Sequence, residues 1–79
     1  MSLPQYVTRN DVVCKHIVHL SRDQYGNTGY LVWFMQNDKN YMWITTNKSK
    51  YFSSFKEGKK YNVKWRENDD FVSYVSLAA

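Results

Sequence analysis

The sequence predicts an all-β protein: a small five-stranded barrel with one short helix between the third and fourth strands. Three observations predict it. β-branched and aromatic residues gather in five short runs, the composition that fits a pleated, half-buried surface. Clusters of Gly, Asn, Asp and Ser separate these runs, which is turn chemistry. One stretch alone, between the third and fourth runs, spaces its apolar residues in a way that does not suit a strand. A sheet this small closes on itself, because open edges invite pairing with other chains.

Taken in order, Val12 to Leu20 (VVCKHIVHL) is β-branched and reads as a first strand. Ser21 to Gly29 holds two of the three glycines and reads as a loop. Tyr30 to Met35 (YLVWFM) is a dense apolar strand, and QNDKN after it is a five-residue hairpin connection. Tyr41 to Thr46 (YMWITT) returns as the third strand. Next, Tyr51, Phe52 and Phe55 fall at i, i+1 and i+4, a helical spacing. Asn47 or Ser49 is a suitable N-cap, and Gly58 a suitable stop. Lys60 to Arg66 then alternates, with Tyr61, Val63 and Trp65 on the core face and Lys60, Asn62, Lys64 and Arg66 on the other. ENDD turns the chain into a last strand, Phe71 to Leu77, whose Phe71, Ser73, Val75 and Leu77 share a side.

Seventy-nine residues make one domain, assigned to residues 11–79, with residues 1–10 as an N-terminal arm. Met1-Ser2-Leu3 reads as an expression-vector leader, which puts the natural start near Pro4. Such a chain has a thin core, and three Trp, seven Tyr and four Phe supply most of what it can bury. Cys14 is the only cysteine, so neither an internal disulfide nor a cysteine-based zinc cluster can form. A lone thiol fits a reducing interior, and the expected location is the cytoplasm. No apolar run approaches the roughly 18 residues of a membrane span, and no signal-peptide pattern is present. No membrane partner is therefore expected.

Chemistry has few footholds. On a regular strand Cys14 and His16 point one way and His19 the other, so the three do not converge on a metal. Asp11, Asp23, Asp38, Glu57, Glu67, Asp69 and Asp70 sit at turns or strand ends, where acids cap and solvate. No glycine loop precedes a helix to cradle phosphate. The expectation is a non-catalytic protein with no cofactor and no metal. Charge is more informative. Of eleven basic residues, seven lie between Lys48 and Arg66 beside the single acid Glu57, so that window carries +6 of a net +4 chain. Such asymmetry points to a polyanionic partner.

The stretch VWFMQNDKNYMWITTNKSKYFSSFKEGKKYNVKW resembles the middle of small OB-fold domains, of the type found in phage replication and single-stranded nucleic-acid binding. There an aromatic hairpin ends in a Trp-containing strand, and an apolar-x-x-Gly-x-x-Tyr-x-apolar segment opens strand four. Here that segment is Phe55-Lys56-Glu57-Gly58-Lys59-Lys60-Tyr61-Asn62-Val63. The resemblance implies an OB-like barrel that binds single-stranded nucleic acid. RENDD leaves room only for a tight turn, so the long loop that larger OB domains carry between strands four and five is absent.

Strands two and three are apolar on both faces, so either parity leaves large rings outside. If Leu31, Met35, Met42 and Ile44 fill the core, Tyr30, Phe34, Tyr41 and Trp43 face outward; the other parity exposes Trp33. On the first parity, the expected nucleic-acid-binding set is Tyr30, Phe34, Tyr41 and Trp43 for base stacking, with Lys48, Lys50, Lys64 and Arg66 on phosphates. Few Asn, Gln or Arg side chains face outward, so little sequence preference is expected. The alternative is a small protein-interaction or structural adaptor, phage-encoded, using an apolar sheet face and forming a homodimer.

Overall fold

Five strands, β1 (Tyr6–Arg22), β2 (Thr28–Gln36), β3 (Lys39–Thr46), β4 (Lys60–Asn68) and β5 (Phe71–Leu77), close into a barrel in the order β1-β2-β3-β5-β4. The computed structural model describes residues 5–22 and 24–78. The proposed leader and the start near Pro4 lie outside the described residues, as do Asp23 and Ala79. The all-β barrel expected from the sequence is present, with one 3-10 turn, Phe52–Ser54, between β3 and β4. Neighbouring strands are antiparallel except β3 and β5, which run parallel and pair, among the described residues, only at Met42 opposite Phe71.

β1 serves both halves of the barrel. Its first part, Tyr6 to Val13, pairs with β4, and its second, Val13 to Arg22, pairs with β2. Residues 6–10, expected to be an arm, are therefore strand. Arg9-Asn10-Asp11 forms a bulge: the register slips between Arg9 and Val12, and Asp11 sits at φ 57. Its N–H donates to Asn62 Oδ1 at 3.1 Å, which holds the kink. A second slip between Cys14 and His16 turns Cys14 inward and leaves His16 exposed. The two expected on one face are thus split, because an extra residue reverses the alternation beyond it.

The parity of β2 and β3 is the reverse of the one that placed the stacking rings outside. Phe34 is fully buried, and Tyr41 and Trp43 nearly so. Leu31, Met35 and Met42 are only half-buried, and Ile44 is 61% exposed. Interior volume explains this. β1, β2, β4 and β5 bring small residues inward, among them Val12, Cys14, Val32, Val63, Val72 and Val75, so the space between them needs large rings. Phe34 and Trp65 meet at 5.3 Å between centroids, Tyr41 and Trp65 at 5.1 Å, and Phe34 and Phe55 at 5.1 Å. Trp33, outside, keeps its indole satisfied by donating to Asn40 Oδ1 at 2.8 Å.

Connections are tighter than expected. The β2–β3 hairpin turns on two residues, not five: Gln36 pairs with Lys39, and Asn37 and Asp38 have φ 50 and 66. This is the left-handed pair that matches strand twist. Tyr51, not Asn47 or Ser49, occupies the cap of the 3-10 turn, and no side chain caps it. Ser49 is engaged by the Thr45 hydroxyl instead. Phe55 closes the barrel interior as a plug, and Gly58, at φ 84, reverses the chain so that its N–H reaches the Cys14 carbonyl at 2.7 Å. A residue with a Cβ is disfavoured there. Arg9 and Glu67 pair at 2.7 Å beside Tyr41, and Trp65 Nε1 donates to the same carboxylate at 3.0 Å.

β5 also departs from simple alternation. Val72 and Val75 point inward, while Phe71 and Leu77 are exposed. Between Lys64 and Arg66 of β4 the register with β5 slips, and Tyr74 takes φ 52. That bulge moves Tyr74 out to the surface.

Candidate functional site

A groove of about 530 Å³ opens where β5 diverges from β3, and Trp43 and Val75 contribute to its lining. β1 contributes Tyr6, β4 Lys64, and β5 Tyr74 and Ser76; the β3–β4 connection adds Ser49, Lys50 and Tyr51. Local structure explains each placement. Tyr6 and Arg66 are opposite one another across β1 and β4, so their side chains share a face. The β5 bulge brings Tyr74 onto that face. The short 3-10 turn leaves Lys50 and Tyr51 at the rim as Phe55 dives inward.

Rings and cations interleave here. The Arg66 guanidinium carbon lies 4.7 Å from the Tyr6 ring centroid and 5.1 Å from that of Tyr74. The two tyrosines are 6.5 Å apart and steeply inclined. Lys64 Nζ is 5.5 Å from the Tyr6 ring, and Lys50 Nζ 5.4 Å from Tyr51. Such contacts hold cations loosely, at about 0.5–1 kcal/mol each when exposed. Arg66 Nε is buried without a hydrogen-bond partner. Tyr6 is 48% and Tyr74 67% exposed, so ring area remains open to solvent. Tyr74's left-handed backbone is unusual for an aromatic residue, and it sits at the mouth of the groove.

Lys50 and Lys64, both expected on sequence grounds, line this groove, and Arg66, also expected, packs behind it against the Tyr6 and Tyr74 rings. Lys48 does not line it: it is exposed on the same connection, with its N–H 3.3 Å from Thr46 Oγ1. The four expected rings are not a stacking surface. Phe34 and Tyr41 are core, Trp43 is floor, and Tyr30 lies at the barrel end, stacked on Phe52 at 4.5 Å and edge-on to His19. The rings at the groove are Tyr6, Tyr51 and Tyr74. Sequence spacing puts Tyr51 in a short helix, and Tyr6 lies in the expected N-terminal arm. Regular alternation places Tyr74 on the side opposite Phe71, Ser73, Val75 and Leu77, but the bulge turns both Ser73 and Tyr74 outward. A usable signal was present in Tyr6: an aromatic followed by Val7 and Thr8 has strand composition.

The remaining polar groups do other work. Asn62, on the outward face of β4, is taken up by the Asp11 amide. His16 Nδ1 stands 3.6 Å from Glu57 Oε2, which also accepts from the Ile17 N–H. Burial, with Glu57 adding to it, pushes the Cys14 thiol up to about 11, so it stays protonated. Hydrogen bonding from Arg9 and Trp65 holds the Glu67 carboxyl below its ordinary value. Among the described residues no three or more His, Cys, Asp and Glu side chains gather as a metal site, and no helix is long and apolar enough to cross a membrane.

No family model, curated protein or solved structure matches this chain.

Proposed function

We propose that the protein binds single-stranded nucleic acid in the groove lined by Tyr6, Lys50, Tyr51, Lys64 and Tyr74, with Arg66 at its edge, and with little sequence preference. One observation carries the reading: exposed tyrosines and cations alternate on a single open surface of a small barrel. Tyr6 and Tyr74 offer faces to unstacked bases, and stacking on such rings contributes about 1–3 kcal/mol per base. Lys50, Lys64 and Arg66 neutralise the backbone beside them. Every base has a π-face, so stacking tolerates sequence. A duplex hides its faces in its own stack, so the surface favours single strands. The resemblance to small OB-fold domains points the same way.

Fluorescence anisotropy of a labelled oligo-dT tests the reading. The expected affinity falls by about 0.7 log units per contacted phosphate for each log unit of salt. The double change Lys64→Glu with Arg66→Glu abolishes the signal while leaving the far-UV spectrum and melting temperature near those of the wild type. No binding by the folded wild-type protein at low salt contradicts it.

A further inference from the structure

Basic surface continues beyond the groove. β4 alternates regularly here: Val63 and Trp65 are buried, while Lys60, Asn62 and Lys64 are exposed on the outer side. One row therefore runs from Lys64, at the groove, along the outside of the barrel to Lys60. Four residues of strand separate the two lysines by about 13 Å.

A second cluster stands at the far end. Lys60 is opposite Val13 of β1, and the Cys14 N–H donates to the Lys59 carbonyl at 2.9 Å. The Gly58 N–H returns a bond to the Cys14 carbonyl at 2.7 Å. Lys15, in the β1 bulge, is thereby set beside the turn that carries Lys56 and Lys59, and these lysines and Lys60 are all exposed. His16 follows, also exposed, with its ring 5.2 Å from that of half-buried Trp33. Two carboxylates border this path. Glu57 is turned to the Ile17 N–H and to His16, and Asp11 sits beside Asn62.

We infer that a bound strand leaves the groove along β4 and is anchored a second time at Lys60, Lys59 and Lys15. The partner is then a single strand of several nucleotides, not a mononucleotide or dinucleotide. This inference rests on the proposed function. A stacked strand advances about 3.4 Å per nucleotide, so about four nucleotides span the distance from Lys64 to Lys60, and fewer when it is extended. A free phosphate or a nucleotide reaches one station at a time. A strand reaches both, and its second contact forms at the high effective concentration that the first one sets. The second station holds phosphates by charge, so it adds affinity without adding sequence preference.

Fluorescence anisotropy of two labelled thymidine oligomers at about 0.1 M salt tests this, where the screening length is about 10 Å. One is a trinucleotide, which occupies the groove alone; the other has about twelve nucleotides and reaches both stations. Lys60 lies further than a screening length from Lys64, so a charge removed at one station is barely felt at the other. The longer oligomer is expected to bind at least about tenfold more tightly than its extra starting positions explain. Its salt slope is steeper by about 0.7 for each further phosphate held. Lys64→Gln weakens both oligomers. Lys15→Gln with Lys60→Gln removes the longer oligomer's advantage and leaves the trinucleotide's affinity within about twofold. Both side chains are exposed, so the melting temperature of the double variant stays near that of the wild type. An advantage no greater than the statistical one, or one that survives the double variant, overturns the second station and leaves the groove in place. If neither oligomer binds the wild type, the groove reading itself fails and takes this one with it.

Discussion

The barrel interior and the groove are both aromatic, yet they use rings differently. Inside, Phe34, Tyr41, Phe55 and Trp65 touch ring to ring at 5.1–5.3 Å and exclude water almost completely. At the groove, Tyr6 and Tyr74 stand 6.5 Å apart with Arg66 against both, and they are 48% and 67% exposed. Phe34, Tyr41 and Trp65 sit on regular strand alternation, and Phe55 enters from the β3–β4 connection. Tyr74 reaches its place only through a bulge and a left-handed backbone, at a cost of order 1–3 kcal/mol. A ring that stabilises the fold needs no such cost. On the proposed function, a ring held outward and flanked by cations serves a contact from solution.

The largest expected effect lies inside. Trp65→Ala should cost about 3–5 kcal/mol, a large share of the roughly 4–12 kcal/mol available to a 79-residue domain. Urea unfolding should show a collapsed or missing transition. Tyr74→Gly should do the opposite kind of thing. It removes a ring but relieves the backbone, so stability should stay within about 1 kcal/mol of wild type while oligo-dT affinity weakens by about 1–3 kcal/mol. Equal losses in melting temperature from both substitutions would break the distinction between the two sets of rings.

How much of this could be read in advance depends on contrast along the chain. β4 was legible because Tyr61, Val63 and Trp65 alternate with Lys60, Asn62, Lys64 and Arg66, so one register alone buries the apolar set. β2 and β3 lacked that contrast: YLVWFM and YMWITT are apolar on both faces, and only the volume of the closed barrel chooses Phe34 and Trp43 over Leu31 and Ile44. β1 and β5 depart from their sequence pattern for another reason. Their bulges, at Asp11, after Cys14 and at Tyr74, insert residues that reverse the pattern, and non-glycine residues occupy the positive-φ positions at Asp11 and Tyr74. The basic half of the groove was therefore visible in sequence, and the aromatic half was not.

The smallest expected effect concerns acid. Glu67 is held below its ordinary value by Arg9 and Trp65, so the unfolded chain takes up that proton first as pH falls. Its contribution is present in full above about pH 4.5 and is lost as pH drops through the lowered value. Glu67→Gln should remove this part of the acid sensitivity, seen as a shallower fall of melting temperature between about pH 5 and 3. Oligo-dT affinity at neutral pH should hardly change, because Glu67 belongs to the barrel and not to the groove.

The most direct test of the central claim is a map of where a strand lies. Backbone amide shifts should be followed by ¹H–¹⁵N correlation spectroscopy as oligo-dT is added at low salt. The largest changes are expected at Tyr6, Lys50, Tyr51, Lys64, Arg66 and Tyr74, with Val18, Leu31 and Ile44 unmoved. Changes centred on those three outer residues, or none anywhere, would contradict that claim.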